Sequence, residues 1–277
     1  MRRKLFINLI DYYNDDIDKM LQTIKNTGFD GVNFSWEDNN DYTQLVNKIK
    51  EYDLSIDYIH APFSSINHFW YDDSQIKDSL LTSLKKCVDF CNEISVNKMV
   101  VHPFIGFYEH NPTMIGIKYF EELLTYAKQY NIQICFENVE GEEYFELIRK
   151  ELFNKYSNAK FCLDTGHELC YNRGVDQLVK YGQYLECTHI NDNIGVTQEH
   201  IWWTDDLHYI PGDGIMDISN FIQRLKKCNY QGNLSLELKI NKEKDTDVYL
   251  KYKNMSIEEY FECAYKSVKD ILDKLDN

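Results

Sequence analysis

LECTHINDNIGVTQEHIWWTDDLHYIPGDGIMD, residues 185–217, decides how this chain is read. A short apolar run, 185–188, ends in His189. A long loop follows, with two adjacent tryptophans, an Asp206-x-His208 pair and a Pro-Gly-x-Gly turn. Imidazoles and carboxylates crowded this closely behind a buried-type strand suit metal chemistry better than packing. The layout recurs along the chain. Strand-like runs at 55–59, 98–101, 133–136, 160–163 and 234–236 are followed by His60, His102, Glu137, Asp164 and Glu237.

Two further runs, 5–10 and 31–35, read as strands without such an ending. Helical spacing fills the intervals: 15–27, where Ile17, Met20, Leu21 and Ile24 share one face, then 42–51, 73–93, 113–130, 142–154, 177–182, 218–228 and 257–275. Gly28 ends the first of these helices. That makes eight strand-then-helix units at roughly 30-residue spacing, an alternation that implies a parallel sheet. An open dinucleotide-binding sheet would carry a Gly-rich phosphate loop after its first strand, and none is present. No linker or composition break divides the chain. The expectation is one α/β domain over residues 1–277, a closed (β/α)8 TIM barrel.

Composition narrows the partners. The formal net charge is −15 and only five residues are Arg, which fits poorly with a surface built to neutralise phosphate backbones. A metal cluster would offset some of that negative charge locally. The eight cysteines form no CxxC pair, and most lie in apolar patterns, as expected of buried reduced thiols. The first apolar run is too short for a signal-peptide core, and no stretch is long enough to span a bilayer. A soluble, cytoplasmic protein with no membrane partner is expected.

In a barrel the C-terminal ends of the strands converge on one mouth, so His60, His102, Glu137, Asp164, His189 and Glu237 should meet there. His167, three residues beyond Asp164, and the Asp206/His208 pair lie just past two of the strands. All these types bind divalent cations: imidazole suits Zn, Co, Ni or Mn, and carboxylates suit Mn, Mg or Zn. Singly, each has a plainer reading as a structural histidine, a helix N-cap or a rim ion pair. Jointly they place four acids in one mouth with no matching set of bases. Four buried carboxylates cannot all stay ionised without cations.

The ordered set IHAPF (59–63), VVHPF (100–104), CFENVEG (135–141), LDTGH (163–167), HINDN (189–193), DLHYIPGDG (206–214) and LELK (236–239) resembles the xylose-isomerase-like barrel superfamily over about residues 5–275. That superfamily holds sugar and sugar-phosphate isomerases and epimerases, and also the AP endonucleases of the endonuclease IV type. In the keto-sugar epimerases one metal, often Mn, is held by two Glu, one Asp and one His. The resemblance implies Glu137, Asp164, His189 and Glu237 for that role. In the endonuclease branch nine ligands hold three Zn ions, and the remaining positions match His60, His102, His167, Asp206 and His208.

The resemblance therefore implies an enzyme that needs a divalent metal, Zn or Mn before Mg or Co. The expected reaction is isomerisation or epimerisation of a small sugar, sugar phosphate or polyol through a metal-stabilised enediolate. Glu137 and Glu237 would exchange the proton and His167 would steady a hydroxyl. Trp36, Trp202 and Trp203 would offer aromatic faces to the sugar, unless they only pack their loops. Lys239 would contact an anionic group or pair with Glu237. The Pro211–Gly214 turn would present N–H groups to a phosphate, or simply lead to an Asp217 helix cap. The alternative is a Zn-dependent phosphoesterase, with duplex DNA disfavoured by the acidic balance. A small carbohydrate is the expected partner, and barrels of this sort often pair as homo-oligomers through their helices.

Overall fold

The computed structural model describes residues 2–107, 111–173, 175–198 and 204–277. Its strands are β1 (Leu5–Asn8), β2 (Gly31–Ser35), β3 (Ser55–His60), β4 (Lys98–Val101), β5 (Gln133–Glu137), β6 (Ala159–Asp164), β7 (Leu185–His189) and β8 (Leu234–Leu236). All pair in parallel, in the order β7-β6-β5-β4-β3-β2-β1-β8. The sheet closes between its two ends through Ile190, whose N–H donates to Ser235 O and whose carbonyl accepts from Glu237 N. The result is the expected single (β/α)8 barrel.

The helices are α1 (Ile17–Thr27), α2 (Thr43–Glu51), α3 (Lys77–Glu93), α4 (Met114–Lys128), α5 (Glu142–Ile148), α6 (Thr165–Cys170), α7 (Gln177–Tyr181), α8 (Ile218–Lys227), α9 (Asp247–Lys253) and α10 (Ile257–Asp276). The spacing of apolar residues governs which face each buries. In α1, Met20, Leu21 and Ile24 are fully buried, each contributing roughly 1.5–3 kcal/mol. Asp16 caps its start by accepting from Lys19 N, and Gly28, at φ 110°, ends it in the left-handed conformation. Asp217 caps α8 as expected.

Several boundaries depart from the sequence reading. β1 stops at Asn8 rather than residue 10, because Asn8 turns its side chain to the backbone of Leu238, donating to its O and accepting from its N. α5 ends early and continues as one π-helical turn, Arg149–Phe153. Two short helices lie outside the periodic segments: α6, which starts on the Asp164 cap, and α9, capped by Thr246. His60, Glu137, Asp164 and His189 are the last residues of their strands rather than the first residues after them.

Inside the barrel lies a lower layer of its own. Cys135, Cys162 and Cys187 pack there with Tyr58 and Val100. The buried Asp57 accepts from Lys98 Nζ at 2.7 Å, Asn233 Nδ2 at 2.6 Å and Ser235 Oγ at 3.0 Å. A bulge makes this layer possible: between the pairs Val32↔Ile56 and Phe34↔Ile59, β2 has one residue, Asn33, and β3 has two, Asp57 and Tyr58. The extra residue suspends the usual alternation, so both neighbours find partners within the barrel. Asp57 turns to the lower layer and Tyr58 lies under His189, ring centroids 5.0 Å apart.

Candidate metal centre

The nine residues singled out, six at the strand ends, His167 just beyond β6 and the Asp206/His208 pair in the loop after β7, come together at the mouth in three groups. His60, His102 and Glu137 form one; Glu137, Asp164, His189 and Glu237 a second; His167, Asp206 and His208 a third. Within each group the ligand atoms all lie within 4.8 Å of one another. Glu137 belongs to two groups, and its Oε2 is 3.3 Å from His60 Nε2 and 3.1 Å from His102 Nε2. Its Oε1 is 3.2 Å from both His167 Nδ1 and His189 Nδ1. A bridging carboxylate would occupy that position.

Second contacts aim the first ones. His60 Nδ1 meets Ala61 O at 2.8 Å, His167 Nδ1 meets Asn138 O at 2.9 Å, and His208 Nδ1 meets Glu237 O at 3.0 Å. A ring nitrogen facing a carbonyl must carry the proton, which leaves Nε2 of each ring as the ligand atom. Asp164 both caps α6, accepting from His167 N at 2.7 Å, and accepts at its other oxygen from Asn191 Nδ2 at 2.9 Å. Asn138 ties the ends of β5 and β6, giving a proton to Asp164 O and taking one from Asp164 N. Gly166 is required between them, since a Cβ there would sit 1.9 Å from Asn191 Oδ1. His208 holds φ at 47°, a left-handed setting of the kind found where a site over-determines its backbone.

Do these side chains fit a cation? Glu137, Asp164 and His189 are fully buried, yet neither nitrogen of His189 makes a hydrogen bond. Its Nδ1 nevertheless stands 3.1 Å from Glu237 Oε2 and 3.2 Å from Glu137 Oε1. Such atoms converge on a common point rather than on each other, as ligands around an ion do. Glu137 Oε1, His102 Nδ1 and Asp206 Oδ1 are likewise buried without a hydrogen bond. Orphaned polar atoms in one place require an explanation, and a shared cation supplies it.

Electrostatics agree. In the metal-free chain, burial pushes Asp164 up to about 7 against the pull of His167. Burial would also lower His208, but the carboxylates of Asp206 and Glu237 outweigh it and raise the ring to about 9. Burial likewise opposes charge on Glu237, yet the adjacent His189 holds its carboxyl down at about 2. Against burial, His189 and His167 are raised well above the ordinary histidine range by their acidic neighbours. His102 instead is lowered, burial winning over Glu137. Protons thus take the place of external positive charge. Metal would compete with them.

The remaining expectations divide. Trp36 is buried against Phe90 of α3, ring centroids 6.4 Å apart, and lies among the helices rather than with the ligands. Trp202 and Trp203 lie outside the described residues. Lys239 is exposed and joins no ion pair with Glu237 among the described residues; β8 ends at Leu236, so alternation does not carry past Glu237. The Pro211–Gly214 turn has its anion already: Asp192 Oδ2 accepts from Gly212 N and Gly214 N, and Oδ1 from Met216 N. Sequence reasoning missed Phe63, 41% exposed and stacked on His102 at 4.3 Å. It also gave no role to Asn138, Asn191 or Asp192, although each stands within a motif beside a ligand.

Beside the metal groups opens a cavity of about 550 Å³ between β1, β2 and β3, within the size range of small-ligand sites. Asn8, Asn33, Ser35, Tyr58, His60 and Glu237 line it, with Asp11 and apolar side chains but no Lys or Arg. Among the described residues no helix is long and apolar enough to cross a membrane.

Known proteins resemble this chain in sequence or in fold. An uncharacterized protein of Sinorhizobium fredii is 29% identical over 124 residues, covering 43% of this chain and 37% of its own length. Another, from Methanocaldococcus jannaschii, is 24% identical over 200 residues, 65% of this chain and 64% of its own. The matches therefore span less than two thirds of these relatives. Among solved structures, the D-allulose 3-epimerase of Methylomonas sp. in complex with D-allulose superposes with a TM-score of 0.74 at 17% identity, over 97% of each chain. The IOLI protein with a bound zinc atom superposes with a TM-score of 0.75 at 18% identity, over 98% of this chain and 99% of its own. At such identities the likeness is one of fold. Residues 21–253 match the model of a defined family, and with the closed barrel described above this chain belongs to the xylose isomerase-like TIM barrel family.

Proposed function

We propose that the protein is a divalent-metal-dependent isomerase or epimerase of a small, uncharged, hydroxyl-rich carbohydrate. The observation that carries this reading is the cavity beside Glu237, whose lining mixes amides and hydroxyls with apolar side chains, two carboxylates and His60, and holds no Lys or Arg among the described residues. Such a wall suits a polyol and lacks the Lys and Arg that commonly pair with a phosphate. The sugar epimerase found among the similar structures points the same way, as an analogy of fold.

Glu137, Asp164, His189 and Glu237 would hold the metal, which supplies Lewis acidity toward a carbonyl and its neighbouring hydroxyl. Glu237, the most exposed of the four, accepts the proton from the substrate carbon that faces it. Glu137, behind the same site, returns a proton to that carbon or its neighbour. Phe63 stacks over His102 beside the site.

One observation favours a second reading. Three ligand groups sharing Glu137 form a donor set large enough for two or three ions, which would suit a Zn-dependent phosphoesterase. Metal analysis of the purified protein, followed by parallel assays on ketoses and on phosphodiesters, separates the two. About one Mn, Co or Mg per chain with ketose turnover supports the isomerase. Two or three Zn with phosphodiester hydrolysis and inert ketoses overturns it.

A further inference from the structure

The wall of the cavity contains one polar pair that the metal groups do not use. Asn33, on β2, gives an amide proton to the Tyr58 hydroxyl at 2.7 Å. Both side chains are buried, at 0% and 1% exposure, and both residues line the cavity. Asn33 Oδ1 has no hydrogen bond. The Tyr58 hydroxyl accepts from Asn33 and donates to nothing among the described residues, so its own proton is unspent. An unpaired acceptor and an unspent proton thus stand side by side, both buried, on two residues that line one cavity.

Buried polar groups without partners are costly, on the order of 1–3 kcal/mol each, and their persistence calls for a partner that arrives from outside. Asn8, on the same wall, makes the contrast plain. Its amide is consumed on both sides by the backbone of Leu238, which pins β1 to the chain beyond β8. Asn33 is not consumed. The bulge in β3 is what brings Tyr58 to it: one residue of β2 faces two of β3, so Tyr58 shares the interior with Asp57 instead of pointing away. Tyr58 also lies beneath the ring of His189, and Glu237 and His60 border the same cavity. A group held by the pair would therefore sit next to the metal-binding carboxylate.

We propose that Asn33 and Tyr58 form a reader for one substrate hydroxyl: the hydroxyl donates to Asn33 Oδ1 and accepts from Tyr58 Oη. This inference rests on the carbohydrate reading of the cavity and adds the residues that set its specificity. A hydroxyl satisfies both atoms at once. A keto or phosphate oxygen has no proton for Asn33 Oδ1, and a methylene satisfies neither. Discrimination built in this way is strong, because the analogue that lacks the hydroxyl leaves two buried groups unpaired.

The test crosses the protein hydroxyl with the substrate hydroxyls. Wild type, Tyr58→Phe and Asn33→Leu, each loaded with Mn, are assayed on a ketohexose and its singly deoxygenated analogues, and metal content is measured for each. Tyr58→Phe should lower kcat/KM about tenfold on the full sugar, chiefly through KM, with metal content unchanged. One deoxy analogue, poor with wild type, should lose nothing further in the variant, while the others lose the same tenfold. Equal losses on every sugar would make the pair structural and overturn the proposal, as would no loss at all. Asn33→Leu should fail on that same analogue position; if it fails on a different one, the pair is not a unit and the proposal falls. Failure of wild type to bind or convert any ketose overturns the carbohydrate reading, and the reader with it.

Discussion

The two ends of the barrel interior bury charge in opposite ways. In the lower layer Asp57 is matched by Lys98 and by two neutral donors, Asn233 and Ser235, so the chain neutralises its own carboxylate. At the mouth Glu137, Asp164, Asp206 and Glu237 face five imidazoles and no Lys or Arg within salt-bridge reach among the described residues. Buried charge is tolerated when paired and hydrogen-bonded, and otherwise draws in protons or metal. The lower layer is complete in itself and reads as structure. The mouth is complete only with positive charge from solution and reads as a site.

The largest effect that tests this contrast is chemical. Glu237→Ala should abolish turnover, a loss of roughly 10²–10⁴-fold or more, and weaken metal binding, while thermal unfolding stays cooperative. Full activity in that variant would remove Glu237 from the mechanism. The matching experiment below is one of stability. Lys98→Met leaves Asp57 buried without its partner and should cost about 3–5 kcal/mol in urea unfolding. Replacing both, Asp57→Leu with Lys98→Met, should cost less than the single change, since no isolated charge remains. If the single change is harmless, the lower layer is not held by this pair.

A smaller effect sharpens the division within the mouth. If His60 and His102 hold a second metal, joint His60→Ala and His102→Ala should lower metal stoichiometry by about one per chain while leaving the fold intact, read by elemental analysis and circular dichroism. Unchanged stoichiometry would make those two rings substrate contacts or packing residues. The smallest effect is on pH. In the metal-free protein His208 sits at about 9 and Asp164 at about 7, both above their ordinary values. Bound protons therefore stabilise that form at lower pH, and their contribution fades as pH rises through 7 and then 9. Metal held by Asp164 must displace its proton, so apparent affinity should climb up to about pH 7, and on toward 9 if His208 also ligates, by at most about tenfold per pH unit for each proton displaced. A flat profile in calorimetric titration would show that these groups do not ligate.

Much of this was legible in one dimension. The alternation of apolar runs with period-3.6 segments told the barrel, and a His, Glu or Asp at the close of six runs told the mouth, because parallel strands all end on one side. Motif residues beside the ligands, such as Asn138 and Asn191, were visible but mute: an Asn can serve a backbone, a carboxylate or a substrate, and sequence does not say which. Its place after β2 suits Trp36 equally to a sugar platform or to packing, and its ring turns to Phe90 in the helical layer, where burying an indole face is favourable. The Pro211–Gly214 turn kept its anion-binding geometry but met a carboxylate of its own chain.

By itself, then, the sequence determined the order of strands and helices and the chemical types at their ends, since both follow from local periodicity and composition. Only the tertiary structure decided which of those groups share an atom's reach. Closing the sheet through Ile190 brings residues as distant as His60 and Glu237 to one cavity. A single extra residue in β3 sets Tyr58 against Asn33 and Asp57 against Lys98. Periodicity fixes directions along a strand, but contact across a barrel depends on register and closure, and these are properties of the whole fold.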